Sequence, residues 1–243
     1  MTPRKGQAEG ARRLRQARFW TVRYREDPAF FGAGASAFAR WCEPRLREEA
    51  VRRVLELGAG YGRDLCYFLQ MGYDAHGVDN VAEGVKIGRE HISALGLAKE
   101  CSRRLSRADV VPWLRRQASG SADAVYSCLF LNMDFTEEEH RRLLREVERV
   151  LRPGGLHLFS VRSSHDPWYG RGRKVGPDTF DLAPHGTTMH FFSRRYVRDL
   201  TTGSFEELEL KEMAHGGNSF PTKVLYVVER KPAAERPRPS RKV

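Results

Sequence analysis

The stretch Val54-Leu55-Glu56-Leu57-Gly58-Ala59-Gly60-Tyr61-Gly62-Arg63-Asp64 constrains this 243-residue chain more than any other. An apolar run of strand character ends on an acid, enters a turn with three glycines and continues into a helical pattern. Such a sequence builds the ligand loop at the carboxyl end of the first strand of an open α/β sheet. Gly58 and Gly60 can take backbone angles closed to other residues and let the main chain approach a ligand. Gly62 lets the following helix pack close to its strand. The spacing is G-x-G-x-G, and a dinucleotide loop needs its third glycine where this chain has Arg63.

Further signals follow in order. Tyr73–Asn80 reads as a second strand ending in Asp79, 19 residues beyond Gly60. That is close to the roughly 20-residue offset at which an acid reaches a ribose in such folds. Leu105–Val110 reads as a third strand ending in Asp109. Taken singly, each aspartate reads equally as a helix cap or loop residue. Asp123–Leu129 is a buried fourth strand, followed by the loop Phe130–Phe135. Thr136 to Glu139 forms an N-cap with an acid three residues on. The next helix carries apolar residues at Leu143, Leu144, Val147, Val150 and Leu151, and stops at Arg152-Pro153-Gly154-Gly155. Leu156–Val161 is the fifth strand. Strands alternating with helices imply a mostly parallel sheet.

Over residues 50–162 this ordered set resembles the class I S-adenosylmethionine-dependent methyltransferases. His190-Phe191-Phe192-Ser193 is similar to a segment of bacterial small-molecule members of the tellurite-resistance and thiopurine type. The resemblance implies a Rossmann-like, doubly wound α/β fold: a mostly parallel seven-stranded sheet with an antiparallel last strand, plus an N-terminal helical lid. It implies a basic arm and lid over 1–45, a methyltransferase domain over 46–231 with a substrate-side insert at 163–192, and a disordered basic tail over 232–243. The implied cofactor is S-adenosylmethionine. Glu56, Gly58, Ala59, Gly60, Asp79, Asn80, Asp109 and Val110 would hold it, with Asn132 beside the donor methyl group. Asp79 would accept from the ribose hydroxyls and Asp109 from the adenine amino group.

Charge narrows the acceptor. The net charge is +11, yet residues 1–25 hold eight Lys/Arg against one acid and residues 229–243 hold six against two. Residues 26–228 are therefore balanced, whereas a nucleic-acid enzyme would show a basic face on its core. The loop after strand four lacks an Asn-Pro-Pro-Tyr-like signature, which lowers base and amide methylation. The four cysteines have no C-x-x-C spacing and form no evident metal or metalloid site. No apolar run reaches the roughly 18 residues of a membrane span, and the first residues lack a signal-peptide core. The expectation is a cytoplasmic enzyme acting on an O, N or S nucleophile of a small molecule.

Three regions can build the acceptor site. Phe19–Arg25 with Phe30 and Phe31 supplies aromatic groups for a lid, or for the core of a helical cap. Asn132, Met133 and Asp134 follow strand four. The insert 163–192 is long for a connection and rich in His, Asp, Trp and Tyr. His165, Asp166, Tyr169 and His190 are the acceptor-side candidates; an unperturbed His190 would titrate near about 6.5 and serve as a base at neutral pH. A structural, hydrogen-bonded histidine is the competing reading of His190. Three alternatives stay open at this level. They are an RNA or protein methyltransferase docking through the basic ends, a non-catalytic S-adenosylmethionine-binding regulator, and a nicotinamide oxidoreductase.

Overall fold

The computed structural model describes residues 5–182, 187–217 and 220–233. Helices α1 (Lys5–Glu26) and α2 (Ala37–Glu48) precede an alternating run. That run is β1 (Arg53–Leu57), α3 (Arg63–Gln70), β2 (Asp74–Asp79), α4 (Ala82–Ile92), the short α5 (Cys101–Arg104), β3 (Leu105–Arg107), α6 (Val110–Arg115), β4 (Ala122–Cys128), α7 (Glu137–Val150) and β5 (Leu151–Arg162). Three short strands follow, β6 (Arg173–Gly176), β7 (Thr179–Leu182) and β8 (Thr187–His190). Helix α8 (Arg194–Thr201) and the long strands β9 (Glu206–Gly217) and β10 (Phe220–Arg230) complete the order.

Seven strands form one sheet in the order β3-β2-β1-β4-β5-β10-β9. β1 to β5 are mutually parallel, and β10 runs antiparallel to both β5 and β9. The winding reverses between β1 and β4, and a ligand crevice opens outside the carboxyl ends of the strands at such a switch. Alternation along each strand feeds two cores. Val54, Ala124 and Tyr126 meet Phe38, Leu46, Leu65 and Phe68 on one face. Leu55, Leu57 and Val125 meet Leu143, Leu144 and Val147 of α7 on the other. The expected cap of α7 is present as a complete box: Thr136 Oγ1 accepts from Glu139 N, and Thr136 N donates to Glu139 Oε2.

Two local features differ from the sequence reading. β5 begins at Leu151 rather than Leu156, because Arg152 to Gly155 bulges without leaving the sheet. Gly154, at φ 77°, donates to Lys231 O, so the breaker residues continue the pairing toward the last strand. The insert also holds a three-stranded antiparallel sheet, β6-β7-β8. Four-residue strands that pair only with each other leave little periodic signal. Residue 45 falls inside α2, whose Phe38, Ala39, Cys42 and Leu46 are fully buried, so α2 belongs to the core and α1 lies over the sheet's end. The tail expected over 232–243 lies outside the described residues from 234 onward.

Candidate active site

The glycine turn follows β1 directly. Gly58, Gly60 and Gly62 all have positive φ, where a side chain is strained. A Cβ on Gly58 would sit 2.3 Å from the Phe130 ring, so the bare backbone is what leaves room there. Gly58 N and Ala59 N both donate to Val78 O, tying the turn to β2. Asp79 ends β2 and accepts from Gly60 N at 2.9 Å and Val81 N at 2.8 Å. Burial pushes its carboxyl pKa up, and the amide bonds from Val81 and Gly60 oppose that rise.

Glu56 is buried, and one of its carboxylate oxygens has no hydrogen-bond partner. Burial raises its pKa well above the usual carboxylate range, nearby Asp64 adds to the rise, and Arg63 works against it. Asp64 is itself occupied: it accepts from Ser36 N, Ser36 Oγ and the Tyr126 hydroxyl at 2.6–2.8 Å. Asp109 stands at the start of α6 but makes no cap bond with its side chain. Instead it accepts from the Asn80 amide at 3.1 Å and lies 3.6 Å from Arg13.

Of these groups, Gly58, Asp79, Asn80 and Asp109 line one cavity of about 300 Å3. Asp79, Asn80, Asp109 and Val110 lie at one side of it, and Asn132, Arg162, Trp168 and Met189 lie where β4, β5 and the insert meet. A smaller recess of about 50 Å3 shares Tyr24, Phe31, Gly58 and Cys128 with it and reaches Glu56 and Arg63. α1 and the turn after it roof the cavity with aromatic rings. Trp20 stacks on Tyr24 at 5.7 Å and meets Phe31 at 5.6 Å, while Phe30 and Phe31 pack edge to face. Tyr61 fixes the turn beneath by donating to Gly32 O and accepting from Phe31 N. Arg12 and Arg15 of α1 bond Glu139 and Asp134 at 2.7 and 2.8 Å, which anchors the roof to the far rim.

The acceptor-side candidates are distributed differently. Asn132 lines the cavity, is buried, and has an unpartnered side-chain oxygen. His165 is 67% exposed, bonds Glu212 and does not line the cavity. Tyr169 is 39% exposed, also outside the cavity, and donates to Asp178. Asp166 is buried, and its carboxylate accepts from Arg162 Nη1, Trp168 N and Lys223 N. His190 lies off the cavity because β8 alternates: Thr187 and Met189 line it, and His190 points to the opposite face. There its Nδ1 meets Thr179 Oγ1 at 2.8 Å and its ring lies 5.5 Å from that of His140. Burial and the neighbouring His140 push its pKa down to about 4, so it is neutral, and a weak base, at neutral pH. Arg63 and Arg162 were not among the expected site residues. Their only sequence signal is position: one follows the last glycine of the turn, the other ends the fifth strand.

Residues 54–155 match a family model described as a methyltransferase domain. An uncharacterized methyltransferase of Mycobacterium tuberculosis (strain ATCC 25618 / H37Rv) is 30% identical over 158 residues, 60% of this chain and 57% of that protein. A thiol S-methyltransferase of Homo sapiens is 30% identical over 100 residues, 40% of this chain and 38% of that one. The chain thus spans little more than half the length of the first of these relatives, and less of the second. Among solved structures, the 1,6-didemethyltoxoflavin-N1-methyltransferase of Burkholderia thailandensis superposes with a TM-score of 0.66 at 20% identity. The match covers 96% of this chain and 93% of that chain.

Proposed function

We propose that this chain, which carries a class I S-adenosylmethionine-dependent methyltransferase domain, moves the donor's methyl group to an oxygen, nitrogen or sulfur atom of a small, flat molecule. The observation that carries the reading is the aromatic-walled cavity running from the glycine turn to the ends of β4 and β5 under α1. Its volume of about 300 Å3 is in the small-molecule range.

The residues present fit S-adenosylmethionine. The unpartnered oxygen of buried Glu56 suits the donor's ammonium group. Asp79 has lone pairs left for ribose hydroxyls, and Asp109 and Asn80 stand ready for the adenine edge. When bound, the donor supplies a methyl group already activated on a sulfonium centre. The protein's own work is then to orient, exclude water and surround positive charge with ring faces. Trp20, Tyr24 and Phe31 do this from above and Phe130 from the strand ends. Asn132 orients an N–H or O–H of the acceptor through its free oxygen. A thiolate or a neutral amine needs no further base, which suits a cavity whose lining holds no histidine among the described residues.

The names of similar proteins support the acceptor class. The Burkholderia structure holds 1,6-didemethyltoxoflavin and S-adenosylhomocysteine, and the human relative is a thiol S-methyltransferase. The test supplies methyl-tritiated S-adenosylmethionine with a panel of aromatic thiols, phenols and nitrogen heterocycles, alongside bulk RNA and protein. Label in a small-molecule product is the expected result. Label confined to RNA or protein would overturn the reading in favour of macromolecular methylation.

A further inference from the structure

The cofactor residues sit over β1, β2 and β3, so the acceptor belongs over β4 and β5, across the switch point. At that end the last residue of β5 is a cation. The Arg162 side chain is 18% exposed, and it lines the cavity. Its Nη1 donates to Asp166 Oδ2 at 2.9 Å. The Asp166 side chain is 0% exposed and is held in turn by two main-chain amides. Trp168 N donates to its Oδ1 at 2.8 Å and Lys223 N to its Oδ2 at 2.9 Å. One buried carboxylate therefore fixes both a guanidinium and, through the turn it closes, the Trp168 indole that lines the same cavity.

Building on the function proposed above, we propose that Arg162, oriented by Asp166, binds an oxyanion of the acceptor. The acceptor is accordingly a flat molecule bearing a carboxylate or comparable oxyanion apart from its nucleophilic atom. A guanidinium presents five N–H donors in a fixed plane, and the bond to Asp166 engages one terminal nitrogen. The remaining donors match a planar carboxylate. Two amides occupy Asp166 beside that single bond, so the carboxylate orients the guanidinium while its other N–H donors face a ligand as hydrogen-bond donors. Much of the wall is apolar, with Met133, Phe135, Trp168 and Met189 beside the polar Asn132 and Thr187, and a charged hydrogen bond counts for more there than in water. The other carboxylate near this end, Asp134, is already taken by Arg12 and Arg15. Asp166 is thus a positioning residue and not a proton carrier.

The test is isothermal titration of the full chain, saturated with S-adenosylhomocysteine, with 2-naphthoate and with its uncharged counterpart 2-naphthamide. The expected result is that 2-naphthoate binds tighter by about tenfold or more. Arg162→Gln should abolish that preference while leaving the affinities for 2-naphthamide and S-adenosylhomocysteine unchanged. Asp166→Asn should shrink the preference without touching S-adenosylhomocysteine binding. Equal binding of the two probes, no binding of either, or a preference that survives Arg162→Gln would overturn the assignment. Failure of S-adenosylhomocysteine itself to bind the unaltered protein would instead overturn the methyltransferase reading, and this assignment with it.

Discussion

Glu56 is a carboxyl placed where its ionised form is disfavoured. Burial and the proximity of Asp64 raise its pKa, and Arg63 offsets only part of this. A carboxyl whose folded pKa exceeds its unfolded one binds more protons folded than unfolded. Its favourable contribution is present at low pH and is lost as pH rises from the ordinary carboxylate range through the raised value. Glu56→Gln should therefore raise the melting temperature of the ligand-free protein at neutral pH. It should flatten the fall in stability with rising pH. The same change should weaken S-adenosylmethionine binding by about 1.5–3 kcal/mol, the range for a hydrogen bond to a charged group. Thermal melts across about pH 5 to 8, paired with titration calorimetry, check both halves. Lower stability with unchanged affinity would remove Glu56 from the donor site.

Elements show what was legible in the chain and what was not. The strand, turn and helix around Gly58 were readable because the signals are local: an acid, three glycines, then an apolar helix face. The box on α7 was readable for the same reason, since Thr136 and Glu139 are one turn apart. The β6-β7-β8 sheet was not. Its strands are zipped to the core by distant main-chain bonds, His190 N to Asn132 O and Phe192 N to Arg162 O. Those bonds decide which face of β8 looks into the cavity, and so turn His190 toward His140 on α7. Burial holds both histidines down to about 4, against about 6.5 in an unfolded chain. A base with a lowered folded pKa contributes stability that is complete above about 6.5 and lost as pH falls toward about 4. Each such histidine steepens the loss by about 1.4 kcal/mol per pH unit in that window. His190→Asn should make the pH dependence of unfolding in urea shallower between about pH 6.5 and 4. An unchanged slope would show that His190 is solvated and free to titrate.

At the scale of the whole molecule, the excess charge is partly internal. The N-terminal basic segment reads in sequence only as a basic arm and lid, because its partners lie 119 and 127 residues away. Folded, Arg12 and Arg15 bond Glu139 and Asp134, and Arg13 lies beside Asp109. The exposed Arg15–Asp134 pair contributes about 0–1 kcal/mol, and the partly buried Arg12–Glu139 pair offsets part of its gain by desolvation. The aromatic packing of Trp20 and Tyr24 therefore does more to keep α1 over the cavity, and the arginines mainly set its register. Among the described residues no helix is long and apolar enough to cross a membrane. On the proposed reading, roof, glycine turn and strand ends form one site with a donor end and an acceptor end. The most direct measurement is isothermal titration of the full chain and of Asp79→Ala with S-adenosylmethionine and S-adenosylhomocysteine, with NAD as control. Binding of both sulfur compounds but not NAD, weakened by about 1.5–3 kcal/mol in the variant, is the expected result. NAD binding without a response to S-adenosylhomocysteine, or undiminished affinity in Asp79→Ala, would contradict it.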